Sequence, residues 1–196
     1  MVPRKVRRTA SGSTLVEVLV SVVVLSVGVL GAERMQLATL QIERDARQQS
    51  AAVQFASDIA ERMRSNKDVA LALSDNPYLV DSSSGAAHAT VDCYRQSCTD
   101  PRAMAAWEVA EWWQRASAAL PGARAVVCRD AQPFAGDGTP RWDCESGAGA
   151  PMVIKIGWTR TRVLGGKTDQ TTLQRAEGAK ASAPMVVFPV IPGSQT

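Results

Sequence analysis

A near-continuous apolar run at residues 15–32 constrains this chain more than any other feature of its sequence. As an α-helix the run would span about 27 Å, because a helix rises about 1.5 Å per residue, and this is close to the thickness of a bilayer's hydrocarbon core. One charge interrupts the run, at Glu17. A carboxylate in an apolar helix is costly unless it is paired. We therefore hypothesise that Glu17 has a functional role and requires a partner group.

The charges before the apolar run predict its orientation in a membrane. Arg4, Lys5, Arg7 and Arg8 precede it with no acidic residue among them, and the positive-inside bias therefore predicts a cytoplasmic N-terminus and export of the rest of the chain. An ordinary secretory signal has a shorter apolar region, a small-x-small cleavage site and no internal acidic residue, and this segment fits that description poorly.

The net charge of the whole chain is +3, and the four basic residues of the leader account for all of it. The body of the chain therefore offers no bulk electrostatic attraction for nucleic acid. This balance argues against a general nucleic-acid-binding function.

Sequence that favours a helix continues past the apolar run to Asn66 without a proline. Apolar residues recur at spacings of three, four and seven along this part, at Ile42, Ala46, Val53, Ala56, Ala60 and Met63. Opposite charges four residues apart, Glu43 with Arg47 and Asp58 with Arg62, would each add about 0.3–0.5 kcal/mol on the solvent side. We predict one helix of about 52 residues, with one apolar face on its exported half.

A second helix is predicted from its capping residues. Asp100 is a good N-cap, Pro101 suits the first helical position, and Pro121 with Gly122 follows Leu120 as a stop signal. The segment from 65 to 90, which comes before it, is rich in Asp, Asn, Pro, Ser and Gly and is interpreted as a connecting loop.

Three tryptophans lie on the second helix, at Trp107, Trp112 and Trp113. Their spacings do not allow all three to share one face, so we expect two in the core and one at the helix or subunit boundary. Glu108 and Glu111 are interpreted as the solvated side of this helix.

Three β-rich runs follow, at residues 123–128, 152–163 and 185–190, separated by clusters of Gly, Asp and Pro. They predict an antiparallel sheet with one buried face. Ile154 and Ile156 share one parity and are expected to face the long helix.

Trp158 has the same parity as these isoleucines, and Arg160 and Arg162 continue it. Either the strand bends at Gly157 or the end of this face is solvated. The alternative is a basic strip beside Trp158 that touches DNA or phosphate.

The four cysteines lie in the part predicted to be exported, where disulfides form and persist. Three pairings are possible, and Cys93 with Cys98 and Cys128 with Cys144 is favoured because each pair closes a short local loop. A zinc site is disfavoured, because neither gap is Cys-x-x-Cys and the single histidine, His88, lies in an Ala/Ser-rich linker.

No catalytic constellation is found in the sequence. One histidine in a linker excludes a Ser-His-Asp or Cys-His set, no glycine-rich phosphate loop follows a strand, and Asp137 with Gly138 is a turn rather than a calcium loop. We therefore expect a protein that is not an enzyme, with no catalytic residue, no cofactor and no metal.

The N-terminus resembles a known leader class. A short basic leader that ends in Gly12, followed by Ser13-Thr14-Leu15-Val16-Glu17, is similar to the class III leader of type IV pilins and type II secretion pseudopilins. The resemblance implies cleavage by prepilin peptidase between Gly12 and Ser13, and N-methylation of Ser13. It also implies that the Glu17 carboxylate meets a free N-terminal amine during filament assembly. This family usually carries phenylalanine as the first mature residue, where this chain has Ser13.

Residues 10 to about 128 resemble the minor pilins of type IV pili. The features that carry this resemblance are the segment Asp58 to Asn66, the cysteine pair at 93 and 98, the Trp-bearing helix and Leu120-Pro121-Gly122. The resemblance implies an α+β pilin-like fold. In it, a long N-terminal helix with a membrane-embedded first half packs on a C-terminal head that has a second helix and a small antiparallel sheet. We expect a leader at 1–12, the long helix at 13–66 with its transmembrane and assembly segment at 13–32, and a periplasmic head at 67–196.

The function implied is that of a minor pilin that primes pilus assembly at or near the pilus tip and supports adhesion and twitching motility. Its implied partners are other minor and major pilins, prepilin peptidase, a tip adhesin and, before assembly, inner-membrane lipid. The implied location is the inner membrane and then the pilus surface. One alternative is a minor pseudopilin of type II secretion. Another is a DNA-binding pilin, supported only by Arg160 and Arg162.

Overall fold

The computed structural model describes residues 14–85, 89, 91–147, 149–164, 167–171 and 183–193. Gly12, Ser13 and His88 lie outside the described residues. So do the side chains of Arg160 and Arg162, on which the DNA-binding alternative rests. The chain divides into two compact units, Met1–Glu43 and Arg44–Thr196, each of which is described by itself.

The predicted long helix is confirmed as α1, Leu15–Ser65. Thr14 starts it, because the Thr14 carbonyl accepts hydrogen bonds from the N–H groups of Glu17 at 3.0 Å and Val18 at 3.2 Å. The Thr14 hydroxyl lies 3.4 Å from the same Glu17 nitrogen, so the Thr14 side chain also accepts from this N–H of the first turn. At the other end, Asn66 still donates its N–H to the Arg62 carbonyl at 3.1 Å.

The second unit contains the rest of the regular structure. Its elements are α2 Lys67–Leu71, β1 Val80–Asp81, a 3₁₀ helix Ser82–Ser84, α3 Pro101–Ala119, β2 Arg124–Arg129, β3 Met152–Gly157, β4 Arg160–Leu164, β5 Lys167–Thr171 and β6 Val186–Val190. β1, β2, β3 and β6 form an antiparallel sheet in that order, and β4 pairs with β5 in a separate two-stranded sheet. An α+β fold with a long N-terminal helix and a small antiparallel sheet is thus confirmed.

The predicted second helix begins where its cap requires. Asp100 accepts hydrogen bonds from the N–H groups of Arg102 at 3.1 Å and Ala103 at 3.3 Å, and Pro101 is the first residue of α3. The helix ends at Ala119, and Leu120 then donates its N–H to the Ala116 carbonyl.

The prediction of one continuous strand at 152–163 is wrong, because the structure has two separate strands there, β3 and β4. β3 ends at Gly157, and the Thr159 N–H bonds to the Pro121 carbonyl at 2.8 Å instead of continuing the ladder. Gly122 makes this approach possible, because its φ is +57° and a Cβ there would collide with the Thr159 side chain. The chain therefore leaves the sheet at this point, and β4 pairs with β5, a strand that the sequence patterns did not predict.

The main core lies between the helices and one face of the sheet. Trp112 of α3 is fully buried, and its indole donates a hydrogen bond to the Phe55 carbonyl of α1 at 2.8 Å. Ile154, Ile156 and Trp158 belong to the same buried cluster as Ile59 of α1, so the predicted inward parity is confirmed.

The prediction of a sheet with a single buried face is wrong for β3. Val153 and Lys155 have the opposite parity to Ile154, yet they are also buried. The segment between β2 and β3 covers this second face, since the Lys155 ammonium lies 2.7 Å from the Asp143 carbonyl. The sheet is therefore covered by helices on one side and by a loop on the other.

The three tryptophans of α3 occupy different environments. Trp112 is buried in the core, Trp113 packs partly buried against that core, and Trp107 makes an edge-on contact with Tyr94 at 4.8 Å between ring centroids. One tryptophan of α3 is therefore fully buried in the core and two are partly buried, whereas the sequence led us to expect two in the core and one at the helix or subunit boundary.

Candidate assembly site

Glu17 lies exposed in the first turn of α1. Its backbone N–H is held by Thr14, and its carbonyl accepts a hydrogen bond from the Ser21 hydroxyl at 2.7 Å. A carboxylate in the first turn also interacts favourably with the helix dipole, by about 0.3–1 kcal/mol at an exposed site. The geometry therefore presents a negative group at the N-terminal end of α1.

The large apolar side chains of residues 15–30, on both sides of Glu17, are all more than half exposed in the first unit. They are Leu15, Val16, Val18, Leu19, Val20, Val22, Val23, Val24, Leu25, Val27, Val29 and Leu30. Exposed apolar surface of this extent marks a site of contact with lipid or protein. Burial of each such side chain would contribute about 1.5–3 kcal/mol.

Polar groups on this apolar surface are satisfied within the helix. The Ser26 hydroxyl donates to the Val22 carbonyl at 2.7 Å, as Ser21 does to Glu17, so neither serine brings an unpaired hydroxyl to an apolar partner. Gly28 and Gly31 leave open space where a Cβ would be, which permits close approach of another helix.

Among the described residues, no helix is both long enough and apolar enough to cross a membrane. The transmembrane segment expected at 13–32 therefore stays a prediction. The predicted cleavage and methylation site, Gly12 and Ser13, lies outside the described part of the chain.

A four-residue ionic network joins α3 to the second half of α1 within the second unit. Asp58 contacts Arg62 at 3.1 Å and Arg115 at 2.7 Å, while Glu111 contacts Arg115 at 2.9 Å and Arg62 at 3.4 Å. Burial alone would raise the pKa of Asp58, but hydrogen bonds from Arg115 and Arg62 and their charges outweigh burial and lower that pKa. The predicted pair of Asp58 with Arg62 is confirmed.

The interpretation of Glu108 and Glu111 as the solvated side of α3 is wrong. Both are partly buried, and they lie along the edges where α3 packs against its neighbours. Glu108 accepts a hydrogen bond from the Tyr78 hydroxyl at 2.8 Å, and the Arg62 carbonyl lies 3.3 Å from the same hydroxyl. Burial first, and then the Glu108 carboxylate, raise the pKa of Tyr78 far above its usual value.

Both disulfides have the pairing that the sequence favours. Cys93 is joined to Cys98, with 5.4 Å between their Cα atoms, and Cys128 is joined to Cys144, with 6.4 Å. The two bonds lie on different loops of the second unit. Asp130 lies close to Cys128 and Cys144 in an arrangement that resembles a metal-ligand cluster. However, both sulfur atoms are committed to the disulfide, which leaves no thiolate to bind a cation.

Sequence reasoning missed a buried ion pair between Lys155 and Asp130. Their charged atoms lie 2.6 Å apart, and both side chains are fully buried. Burial alone would raise the pKa of Asp130, but the hydrogen bond from Lys155 and those from the N–H groups of Gln132 and Glu145 lower it. The sequence signal for a buried lysine is its position in an apolar run, Val153-Ile154-Lys155-Ile156, but this pattern does not identify Asp130 as the partner.

Comparison with protein families agrees with this geometry. Residues 34–110 match the family model described as type IV pilin Tt1218, and residues 7–32 match the prokaryotic N-terminal methylation motif. Part of the chain, residues 34–110, is thus similar to a type IV pilin domain. No curated protein and no solved structure matches it significantly.

These two matches support a pilin or pseudopilin role for the chain. A prepilin-type leader implies processing by prepilin peptidase, anchorage to a membrane and assembly with other pilins. Type IV pilins are structural proteins rather than enzymes.

Proposed function

We propose that the chain is a minor pilin of a type IV pilus, of the kind called PilV or type IV pilus modification protein. The observation that carries this proposal is the match of residues 7–32 to the prepilin-type motif, which overlaps the start of α1 and includes Glu17 in the first turn of that helix. The head features that favour a pilus protein are the segment from Asp58 to Asn66 and the two local cysteine pairs.

The proposed life cycle begins in the inner membrane, with a cytoplasmic N-terminus and a periplasmic head. Prepilin peptidase cleaves between Gly12 and Ser13, and Ser13 is then N-methylated. The apolar surface of α1 exchanges lipid for the helices of neighbouring pilins, so its exposed side chains are buried in either environment.

Glu17 is the proposed alignment residue in this exchange. In a bundle of apolar helices the dielectric constant is low, so a carboxylate is stable there only if it meets a cation at short range. The N-terminal amine of a neighbouring subunit supplies such a cation. Wrong registers would separate the two charges, and the pair therefore selects one axial position for the incoming subunit.

The head is the proposed recognition element. It joins other minor pilins in a complex that starts the pilus, stays at or near the tip and presents an adhesin, which in turn supports adhesion and twitching motility. This role is structural and not enzymatic. A minor pseudopilin of type II secretion has the same leader and helix, and the partners of the protein distinguish the two systems.

Crosslinking in intact cells, followed by purification of the full-length protein and mass spectrometry, tests this proposal. The expected partners are major and minor pilins together with a tip adhesin. A control in which Glu17 is replaced by alanine should lose the pilin crosslinks but keep those to prepilin peptidase. Recovery of type II secretion components, with no pilus subunits, would contradict the pilus assignment.

A further inference from the structure

The loop between β2 and β3 is closed at its base by the Cys128–Cys144 disulfide. Residues directly opposite each other on antiparallel strands point to the same side, so Cys128 shares a face with Val153, its partner on β3. Val126 and Lys155 form the next pair on this face. The disulfide and Lys155 therefore lie on the side of the sheet that this loop covers.

The Lys155 ammonium contacts three groups of the loop. One is a carboxylate just after β2, and the other two are backbone carbonyls just before Cys144. The ammonium lies 2.6 Å from the Asp130 carboxylate, 2.7 Å from the Asp143 carbonyl and 3.4 Å from the Trp142 carbonyl. An ammonium has three protons, so these acceptors satisfy all of them. A charge this deeply buried is tolerated only with such complete pairing.

The second oxygen of the Asp130 carboxylate makes further hydrogen bonds to the backbone of this loop. It accepts hydrogen bonds from the N–H of Gln132 at 2.9 Å and from the N–H of Glu145 at 3.1 Å. The Asp130 N–H itself bonds to the Pro151 carbonyl at 2.9 Å, at the start of β3. The carboxylate of Asp130 therefore connects the start of the loop to Glu145, next to Cys144, while the backbone N–H of Asp130 connects it to the end of the loop.

The residues that make these polar contacts are close to the two cysteines in the sequence. Asp130 comes two residues after Cys128, while Asp143 and Glu145 flank Cys144 directly. If the sulfur–sulfur bond were absent, the contacts of Lys155 and Asp130 would still hold the backbone on both sides of Cys144 beside the end of β2.

We propose that the Asp130–Lys155 pair is a second, non-covalent clasp on this loop. It holds the loop closed without the disulfide and brings the Cys128 and Cys144 thiols together before they are oxidised. The covalent step is then exchange with a small disulfide such as oxidised glutathione. The two thiols form the Cys128–Cys144 bond and pass two electrons and two protons to the oxidant, which leaves as two thiols. This proposal does not depend on the function proposed above.

The Cys93–Cys98 pair provides an internal control. The ion pair at its loop, Asp92 with Arg95, is exposed, with side chains 50% and 88% exposed. Exposed pairs of this kind contribute little. A change at Lys155 should therefore leave this disulfide unaffected.

The first test removes the disulfide by the double substitution Cys128→Ser and Cys144→Ser in the full-length protein, and measures amide hydrogen exchange at Gln132 and Glu145. We expect protection of these two amides to stay within about tenfold of the wild type, because their acceptor on Asp130 remains in position. Exchange at the rate of an unstructured peptide, with Val127 still protected in β2, would overturn the proposal.

The second test uses Lys155→Met, which keeps an unbranched side chain one atom shorter than lysine and removes its charge. Wild-type and variant protein are equilibrated in glutathione buffers, and the oxidised fraction of each cysteine pair is measured by differential alkylation and mass spectrometry. We expect the effective concentration of the Cys128 and Cys144 thiols to fall about tenfold or more, with the Cys93–Cys98 equilibrium unchanged. An unchanged equilibrium for both pairs would contradict the proposal. If this variant does not fold, the exchange experiment on the serine variant decides the question.

Discussion

The guanidinium of Arg115 lies 2.7 Å from the Asp58 carboxylate and thereby joins α3 to the part of α1 in the second unit. Asp58 keeps a second cation, Arg62, at 3.1 Å, so the carboxylate would not become unpaired if Arg115 were lost. The contact therefore reports on helix docking without leaving a buried charge behind.

Arg115→Met should destabilise the protein by about 1 kcal/mol, because the pair is half-exposed and part of a network rather than isolated. Urea denaturation of the full-length protein in detergent, followed by tryptophan fluorescence, measures this. Arg95→Met is the matched control, since Arg95 also makes one carboxylate contact but is 88% exposed. Equal effects of the two substitutions on the free energy of unfolding would show that the Asp58–Arg115 contact stabilises the protein no more than an exposed ion pair does.

Tyr78 should make the protein sensitive to alkaline pH. Its pKa is raised in the folded state, so near its ordinary pKa of 10.0 the unfolded chain loses the phenolic proton while the folded chain keeps it. Stability is therefore complete below about pH 10 and falls as the pH rises above that value.

Tyr78→Phe should remove this alkaline decline and cost about 1 kcal/mol at neutral pH through the lost hydrogen bond to Glu108. Denaturation curves between neutral pH and pH 11 measure both effects. The other tyrosine, Tyr94, is 77% exposed and supplies the control variant Tyr94→Phe. An unchanged alkaline slope in Tyr78→Phe would show that another group is responsible.

Gly122→Ala should destabilise the head by about 1–3 kcal/mol, because the position has a φ of +57° and a Cβ would collide with the Thr159 side chain. The comparison variant is Gly136→Ala, where a Cβ meets only open space and φ is not positive. Thermal unfolding of both variants tests the difference. Equal midpoints would mean that the close approach of residues 122 and 159 is unimportant.

Glu17→Ala should sharply reduce incorporation of the protein into filaments, while its cellular level stays the same. The reason is the lost pairing of the Glu17 carboxylate with a subunit amine in an apolar bundle. Immunoblots of sheared pili against whole cells measure incorporation, and Glu33→Ala, another exposed glutamate of α1, is the control. Wild-type incorporation of Glu17→Ala would refute the alignment role.

Local signals in the sequence predicted much of this fold. The cap at Asp100 and Pro101 marked the start of α3, and the absence of proline up to Asn66 predicted the length of α1. Short loop closure favoured the disulfide pairing found at Cys128 and Cys144. Each of these features depends on residues that are close in the sequence.

Features that depend on distant residues were not predictable. The break of the strand after Gly157 depends on Pro121 and Gly122, and the burial of Lys155 depends on a loop that returns over the sheet. At the candidate assembly site, Glu17 was selected by its position after the predicted leader. The ion pair of Glu111 with Arg62 of α1 was missed, because the periodicity of α3 alone does not show which other element packs beside Glu111.

The central claim is that this chain matures as a pilin, and the N-terminus of the mature protein tests it most directly. Mass spectrometry of the protein isolated from membranes and from sheared pili should find an N-terminal peptide that begins at Ser13 and carries one added methyl group. Gly12→Leu should abolish this peptide and leave the uncleaved precursor in the membrane. A wild-type protein that retains residues 1–12, or a Gly12→Leu variant that is processed normally, would contradict the account.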